Sequence, residues 1–153
     1  MAITYGFFNA IKQSDGTYDR TYNSDQISAM FEGLLTDGVF ESVGDALIVT
    51  EKSGLTVEIG TGRAWIGDRW MKNDAKLDIT LAAAHLTLNR WSAIVIRADY
   101  SNRTISIVEK AGTPATTPTK PTMTYNDSIK EKCLAYVYVG KSVTSVTQIN
   151  ITD

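Results

Sequence analysis

The chain has 153 residues, of which 43% are hydrophobic and 21% are charged. These are ordinary values for a globular protein long enough to bury a core, and they exclude wholesale disorder. The net charge is -2, and neither sign of charge forms a long run. This balance argues against a nucleic-acid binder that works by neutralising phosphates.

The sequence carries little that points to secretion or to a membrane. Its first residues lack a basic region followed by a long apolar run, so no signal peptide is predicted. No apolar segment approaches the length that spans a bilayer, so we expect a protein that is made, and is soluble, in a cytoplasm. Cys133, the one cysteine, has no partner for an internal disulfide and is predicted to be a small buried hydrophobe.

Residues 1–44 are predicted to form an attachment segment that is extended apart from one helix over about 24–36. Asn23 or Ser24 can cap this helix, and Gly38 is placed to end it. Five apolar residues recur at the spacing of one helical face: Ile27, Met30, Phe31, Leu34 and Leu35. Such a stripe must pack either on a sheet of this chain or on the same helix of a neighbouring subunit.

From about residue 45 to residue 153 the apolar period changes to two, which predicts an antiparallel β-sandwich-like domain. Gly67-Asp68 is predicted to join a hairpin, and a second hairpin pairs residues 93–98 with 103–108. All three prolines fall in 111–125, a predicted extended loop, and 134–139 is the last clear strand. Residues 77–88 fit either a helical turn or a strand, and 143–151 fit an edge strand or an arm on a partner. The predicted fold class is mainly β, with an N-terminal extended segment and one α-helix.

No catalytic constellation stands out. Gly60-Thr61-Gly62 lacks the third glycine and the helix of a dinucleotide site, so close backbone approach or a bulge explains it better. His85 is the only histidine, no motif flanks it, and with Cys133 it leaves a zinc site short of ligands. Most carboxylates lie in predicted turns, where Asp accepts local hydrogen bonds. We therefore expect no enzyme, no catalytic residue, no cofactor and no metal.

The aromatic residues could contact sugar rings, because an aromatic face suits the apolar face of a pyranose. In a β-domain of this size, Trp65, Trp70 and Trp91 are more simply explained as core or subunit interface. Trp70 is the exception, since it lies just past a predicted hairpin tip. The candidate glycan contacts are Trp70, Tyr100 and Tyr125.

Four features in their order along the chain resemble structural proteins of tailed bacteriophages of Gram-positive hosts, a family of baseplate, tail-tip and receptor-binding proteins. The first is YGFFN at 5–9 with YDRTY at 18–22 and the helix that follows. The second is GLTV at 54–57 with GRAWIG at 62–67. The third is AIVIRAD at 93–99 with its returning strand, and the fourth is the proline loop followed by CLAYVYV at 133–139. The chain departs from the pattern at Trp91-Ser92.

The resemblance implies a non-enzymatic virion protein of the tail tip or baseplate, assembled in the host cytoplasm. It implies homotrimers or a larger ring, with the N-terminal segment docked to other tail or baseplate proteins and with no nucleic acid or membrane insertion. Because relatives often continue further, the chain is either a complete adaptor or decoration protein or the attachment domain of a longer polypeptide. The candidate interface residues are Tyr5, Phe7, Phe8, Ile27, Met30, Phe31, Leu34 and Leu35.

Two other functions stay open. One is a carbohydrate-binding module that recognises host cell-wall glycan through Trp70 and nearby tyrosines. The other is an esterase or glycosidase acting on a cell-wall polymer, which requires a carboxylate pair or a Ser-His contact in one cleft.

Overall fold

The structure, a computed structural model, describes residues 8–153. Its contacts divide the chain into two units, Met1–Thr36 and Asp37–Asp153. The boundary therefore precedes the predicted one at 44–45, because the first strand, Gly38–Val39, already pairs with the β-domain. Tyr5 and Phe7 lie outside the described residues.

The helix of the first unit, α1, is shorter than predicted. It spans Ser24–Ala29 instead of about 24–36. The predicted start is confirmed: the Asn23 side chain accepts from the Gln26 N–H, and the Gln26 side chain accepts from the Asn23 N–H. Turns follow Ala29, and Gly38 begins a strand rather than ending the helix. A helix this short gains little from propensity alone, and no residue of α1 is buried to extend it by packing.

The second unit is built from antiparallel strands in three sheets. In the described residues the strands, in chain order, are β1 Gly38–Val39, β2 Val49–Glu51, β3 Thr56–Ile59, β4 Gly62–Ile66, β5 Arg69–Asn73, β6 Leu77–Thr80, β7 Arg90–Asp99, β8 Thr104–Ala111, β9 Ile129–Val139 and β10 Ile151–Thr152. The sheet orders are β1-β4-β5, β2-β3-β6 and β10-β9-β7-β8. A 3-10 helix, Gln148–Asn150, precedes the edge strand β10. The mainly β, sandwich-like fold class is confirmed.

The core lies between the inner face of the four-stranded sheet and the two smaller sheets. Alternate residues of β7, Ile94 and Ile96, are fully buried there beside Val137 of β9, and Ile59 and Ile66 face them from β3 and β4. The period of two seen in the sequence is thus the physical alternation of the strands.

The proline-rich stretch, which contains no named strand, covers the outer face of β7. Ala93 and Val95 are fully buried on that face, outside the main core cluster. Lys120 from the loop places its ammonium 5.2 Å from the Trp91 ring centroid and 4.4 Å from that of Tyr136. The loop therefore forms a second, thinner layer over the sheet.

Both predicted hairpins are present. Gly67 and Asp68 have φ values of 52° and 59°, the left-handed pair of a type I′ turn, between β4 and β5. The longer hairpin joins β7 to β8. The ambiguous stretch 77–88 forms β6 and then an irregular segment.

Candidate functional site

The N-terminal unit exposes apolar side chains and buries none of its described residues. None of residues 8–36 is buried. Leu34, for instance, is 76% exposed. The other large exposed apolar side chains of this unit are Phe8, Ile11, Tyr18, Ile27 and Met30.

Polar contacts between near neighbours hold this segment together. The Asp19 carboxylate accepts from the Ile11 N–H at 2.6 Å, and the Gln13 N–H donates to the Thr17 carbonyl at 2.7 Å. The Tyr22 hydroxyl lies 3.0 Å from the Phe8 amide nitrogen. These exposed bonds define a local shape but supply no apolar burial, which is the main source of folding free energy.

The predicted interface residues do not lie along one helical face. Of the eight, Tyr5 and Phe7 are outside the described residues, and only Ile27 lies within α1. Phe8, Met30 and Leu34 are exposed, whereas Phe31 and Leu35 are half-buried. Those that the structure describes therefore belong to one unit but do not form a helical stripe.

The two hairpin turns meet at one end of the β-domain. The Tyr100 hydroxyl, just after β7, donates to the Gly67 carbonyl in the other hairpin turn. The Gly67 N–H donates to one oxygen of the Asp37 carboxylate at 2.7 Å, and the Tyr125 hydroxyl donates to the other at 2.7 Å. The Lys130 ammonium lies 5.4 Å and 5.2 Å from the ring centroids of Tyr100 and Tyr125.

We call Asp37, Gly67, Tyr100, Tyr125 and Lys130 the end cluster. Its hydrogen bonds to Asp37 hold the start of the second unit against the β4–β5 turn and Tyr125. The hydrogen bond to Asp37, aided by partial burial, raises the pKa of Tyr125 to about 12. Sequence reasoning missed the roles of Asp37 and Lys130, because their partners are distant in the chain and no local pattern marks them.

The three candidate glycan contacts do not form one platform. Tyr100 and Tyr125 flank Lys130, and the Arg69 guanidinium carbon lies 5.7 Å from the Tyr100 ring centroid. Successive residues of a strand point to opposite faces, so Trp70 points away from that ring. Trp70 is nonetheless 70% exposed, while Trp65 is buried and Trp91 packs edge-on to Tyr138 at 5.1 Å.

A buried carboxylate fixes the proline-rich loop to the outer face of the sheet. The Glu131 side chain is fully buried and accepts from Arg97 Nη2 at 2.6 Å, from Lys110 and from the Thr124 N–H at 2.7 Å. These donors outweigh the cost of burial and lower the pKa of Glu131 to about 2. The loop is thus anchored by a charge network that the sequence pattern did not reveal.

A second buried network holds the irregular segment after β6. Arg90, 4% exposed, donates to the carbonyls of Ala82 and Ala83 and, at 3.2 Å, to the Ser92 hydroxyl. Ser92 donates to Glu109 Oε1 at 2.6 Å, and Glu109 Oε2 accepts from the Ala82 N–H. Because Ser92 is fully buried and engaged in this way, its role is structural.

His85 and the Gly60-Thr61-Gly62 stretch, which were weighed as catalytic or cofactor motifs, have structural roles. His85 Nδ1 accepts from the N–H groups of Thr87 and Leu88 at 3.1 Å, which closes a turn. A Cβ on Gly60 would lie 2.6 Å from Asp45 Cβ, so this glycine permits a close approach, as expected. Cys133 is half-buried rather than buried, and burial raises the pKa of its thiol.

Across residues 8–153, no group of three or more His, Cys, Asp or Glu side chains is arranged to hold a metal ion. No helix in the same range is long and apolar enough to cross a membrane. Comparisons of the chain with protein-family models, with curated proteins and with solved structures found no match.

Proposed function

We propose that the chain is a non-enzymatic structural protein of a phage virion, in the tail tip or baseplate. It assembles as a homo-oligomer in the host cytoplasm and links the virion body to the parts that recognise the host. The phage assignment rests on the sequence resemblance at 5–9, 54–67, 93–99 and 133–139.

The observation that carries the assembly role is the contrast between a packed β-domain and a segment, 8–36, that buries none of its own side chains. Ordering a residue costs about 1–2 kcal/mol of backbone entropy, which exposed polar contacts do not offset. Burial of Phe8, Ile27 and Leu34 on a partner would supply the missing free energy at about 25 cal/mol per Å². Exposed apolar surface of this kind is typical of a protein–protein contact.

The first experiment is the solution mass of the chain, measured by size exclusion coupled to light scattering. We expect a trimer or larger closed ring for the wild type and a smaller species for Leu34→Asp, because a charge would then enter an apolar contact. The matched control is Leu86→Asp, since Leu86 is 79% exposed in the β-domain and Leu34 is 76% exposed in the segment. A wild-type monomer, or equal loss of mass in both variants, would contradict the proposal.

A carbohydrate-binding module that recognises cell-wall glycan is the second candidate, and the 70% exposure of Trp70 beside a hairpin turn favours it. Titration with purified cell-wall glycan would then quench tryptophan fluorescence, and Trp70→Phe would reduce that quenching. Trp91→Phe, which changes an indole already packed on Tyr138, serves as control. Fluorescence that does not respond to glycan would remove this candidate.

A further inference from the structure

Three aromatic side chains lie together on the outer face of the four-stranded sheet. We call Trp91 of β7 and Tyr136 and Tyr138 of β9 the aromatic site. Tyr138 lies directly opposite Trp91 in the strand register, and Tyr136 lies two residues away on β9, so all three project from one face. All three residues are half-buried. The sheet therefore fixes the rings while part of each residue stays accessible.

The aromatic site already holds a cation, the ammonium of Lys120 from the proline-rich loop. Lys120 Nζ lies 4.4 Å from the Tyr136 ring centroid and 5.2 Å from that of Trp91. Both distances are within the range, about 6 Å, over which a ring face attracts a cation. Among the described residues, this ammonium has neither an ion pair with a carboxylate nor a hydrogen bond. The rings are thus what holds it, and the group they hold is an alkylammonium.

The loop that carries Lys120 is fixed at both ends but not between them. At one end, the N–H of Ala115 donates to the Asn89 carbonyl at 2.8 Å, and the Asn89 N–H donates back at 3.2 Å. At the other end, the Thr124 N–H donates to the buried carboxylate of β9 at 2.7 Å. Residues 116–123, all of them described, make no hydrogen bond. Lys120 can therefore leave the rings without breaking a hydrogen bond at either anchor.

The charges that surround the site balance once Lys120 has left. Lys120, Lys132 and Asp153 all act on the thiol of Cys133, which is hydrogen-bonded to Tyr136. Without Lys120, one of these cations and the one anion remain. A cation that enters from outside thus replaces a positive charge instead of adding to an excess.

We infer that the aromatic site is a binding site for a small organic cation, and that Lys120 occupies it as an internal competitor. The ligand class is a trimethylammonium group of the choline type, because aromatic rings are the usual receptors of quaternary ammonium ions. Such a group has no N–H donor, so it loses no hydrogen bond when it leaves water for the rings, whereas the Lys120 ammonium does. The site lies in the β-domain and includes none of the residues proposed for assembly.

A titration of the full chain with choline tests the site. The readout is the indole N–H signal of Trp91 in nuclear magnetic resonance spectra, assigned by its loss in Trp91→Phe. Lys120→Ala should lower the apparent dissociation constant for choline about tenfold, the factor expected if Lys120 fills the site about nine-tenths of the time. Lys141→Ala removes an exposed lysine from another part of the β-domain and should behave as wild type.

Two controls test whether the ring face and the positive charge are what is recognised. In the Lys120→Ala background, Tyr136→Phe keeps the ring and should keep choline binding, whereas Tyr136→Leu should raise the dissociation constant at least about tenfold. The uncharged isostere of choline, in which a carbon atom replaces the ammonium nitrogen, should bind at least about tenfold more weakly than choline. Far-ultraviolet circular dichroism of each variant separates lost binding from lost folding.

Each outcome decides one part of the proposal. A Trp91 signal that choline does not move in Lys120→Ala would overturn the site, and equal binding of choline and its isostere would overturn cation recognition. Equal affinities in wild type and Lys120→Ala would overturn the role of Lys120 as competitor. Where choline binds, sedimentation of Lys120→Ala with phosphatidylcholine vesicles identifies a lipid headgroup as the source of the cation, and a chain that stays in solution identifies free choline. Either source supports the site.

Discussion

The β-domain and the segment 8–36 differ in how far their side chains are removed from water. In 37–153, side chains such as Ile94 and Ile96 are fully removed from water between sheets. In 8–36, a capping box, a turn and several exposed hydrogen bonds define the backbone, yet no side chain is buried. Locally well-formed structure and thermodynamic stability are therefore separate properties. The β-domain is stabilised by its own core, whereas residues 8–36 contain no buried side chain that could stabilise them in this way.

The largest expected effect is the difference in stability between two isoleucine truncations, one in each unit. Ile96→Ala should destabilise the β-domain by about 4 kcal/mol, because it removes three methylene-sized groups from a fully buried site. Ile27→Ala, at a residue 47% exposed in α1, should change the unfolding free energy of the protein by less than about 0.5 kcal/mol. Urea denaturation followed by tryptophan fluorescence, at a concentration where the chain is monomeric, measures both.

Similar losses of stability in the two variants would contradict this expectation, since they would show that Ile27 belongs to a packed core. The measurement requires dilution to monomer. A partner copy that covered Ile27 would stabilise the folded chain by binding, and Ile27→Ala would then lower the apparent stability through lost binding.

The next effect concerns the loop that covers the outer face of the four-stranded sheet. Glu131→Gln should cost about 3 kcal/mol, since it leaves Arg97 and Lys110 facing a neutral group in a buried network. The pKa of Glu131 is lowered to about 2 from 4.5. A lowered pKa makes its contribution fully present above about pH 4.5 and progressively lost as the pH falls toward 2.

The unfolding free energies of wild type and Glu131→Gln, measured from pH 6 downward, should therefore converge in acid. Asp15→Asn in the N-terminal unit is the matched control, because the Asp15 carboxylate is also hydrogen-bonded, to Thr17, but is exposed. A constant difference between wild type and Glu131→Gln across this range would mean that the loop is held by apolar contact rather than by charge.

The sequence was sufficient for features that local physics determines. Gly67-Asp68 predicted the turn because few residues accept two consecutive left-handed conformations, and alternation in 93–98 predicted a strand with one face inward. The mainly β class followed from such elements. The exposure of Trp70 was also foreseeable from its place beside that turn.

Long-range partners were beyond the reach of the sequence. The period of Ile27 to Leu35 indicates a helix only if something covers its apolar face, and α1 ends at Ala29 where nothing in its own turns is buried. Asp37 and Tyr125 bond across 88 positions, and Glu131 collects its donors from another strand pair and a loop. No periodicity in the sequence encodes such pairings, so neither the end cluster nor the Glu131 charge network was predictable from it.

The smallest of the expected effects compares two glycines in the same backbone region. Gly67 has φ 52° and Gly33 has φ 79°, so alanine is strained at either. A Cβ at Gly67 would also collide with the Tyr100 hydroxyl and would lie 2.5 Å from Lys130 Cδ, whereas nothing lies within 4 Å of a Cβ at Gly33. Gly67→Ala should thus cost about 2 kcal/mol of global stability, from strain and from the displaced Tyr100 contact.

Gly33→Ala carries the strain alone. Because no side chain of residues 8–36 is buried, that strain should open the turn locally instead of lowering global stability. Urea unfolding should therefore distinguish the variants, while amide hydrogen exchange around residues 31–35 should quicken only in Gly33→Ala. If Gly33→Ala lowered the global unfolding free energy as much as Gly67→Ala, the N-terminal unit would have to be coupled to the β-domain in folding. Residues 8–36 and the β-domain would then unfold together and not as separate units.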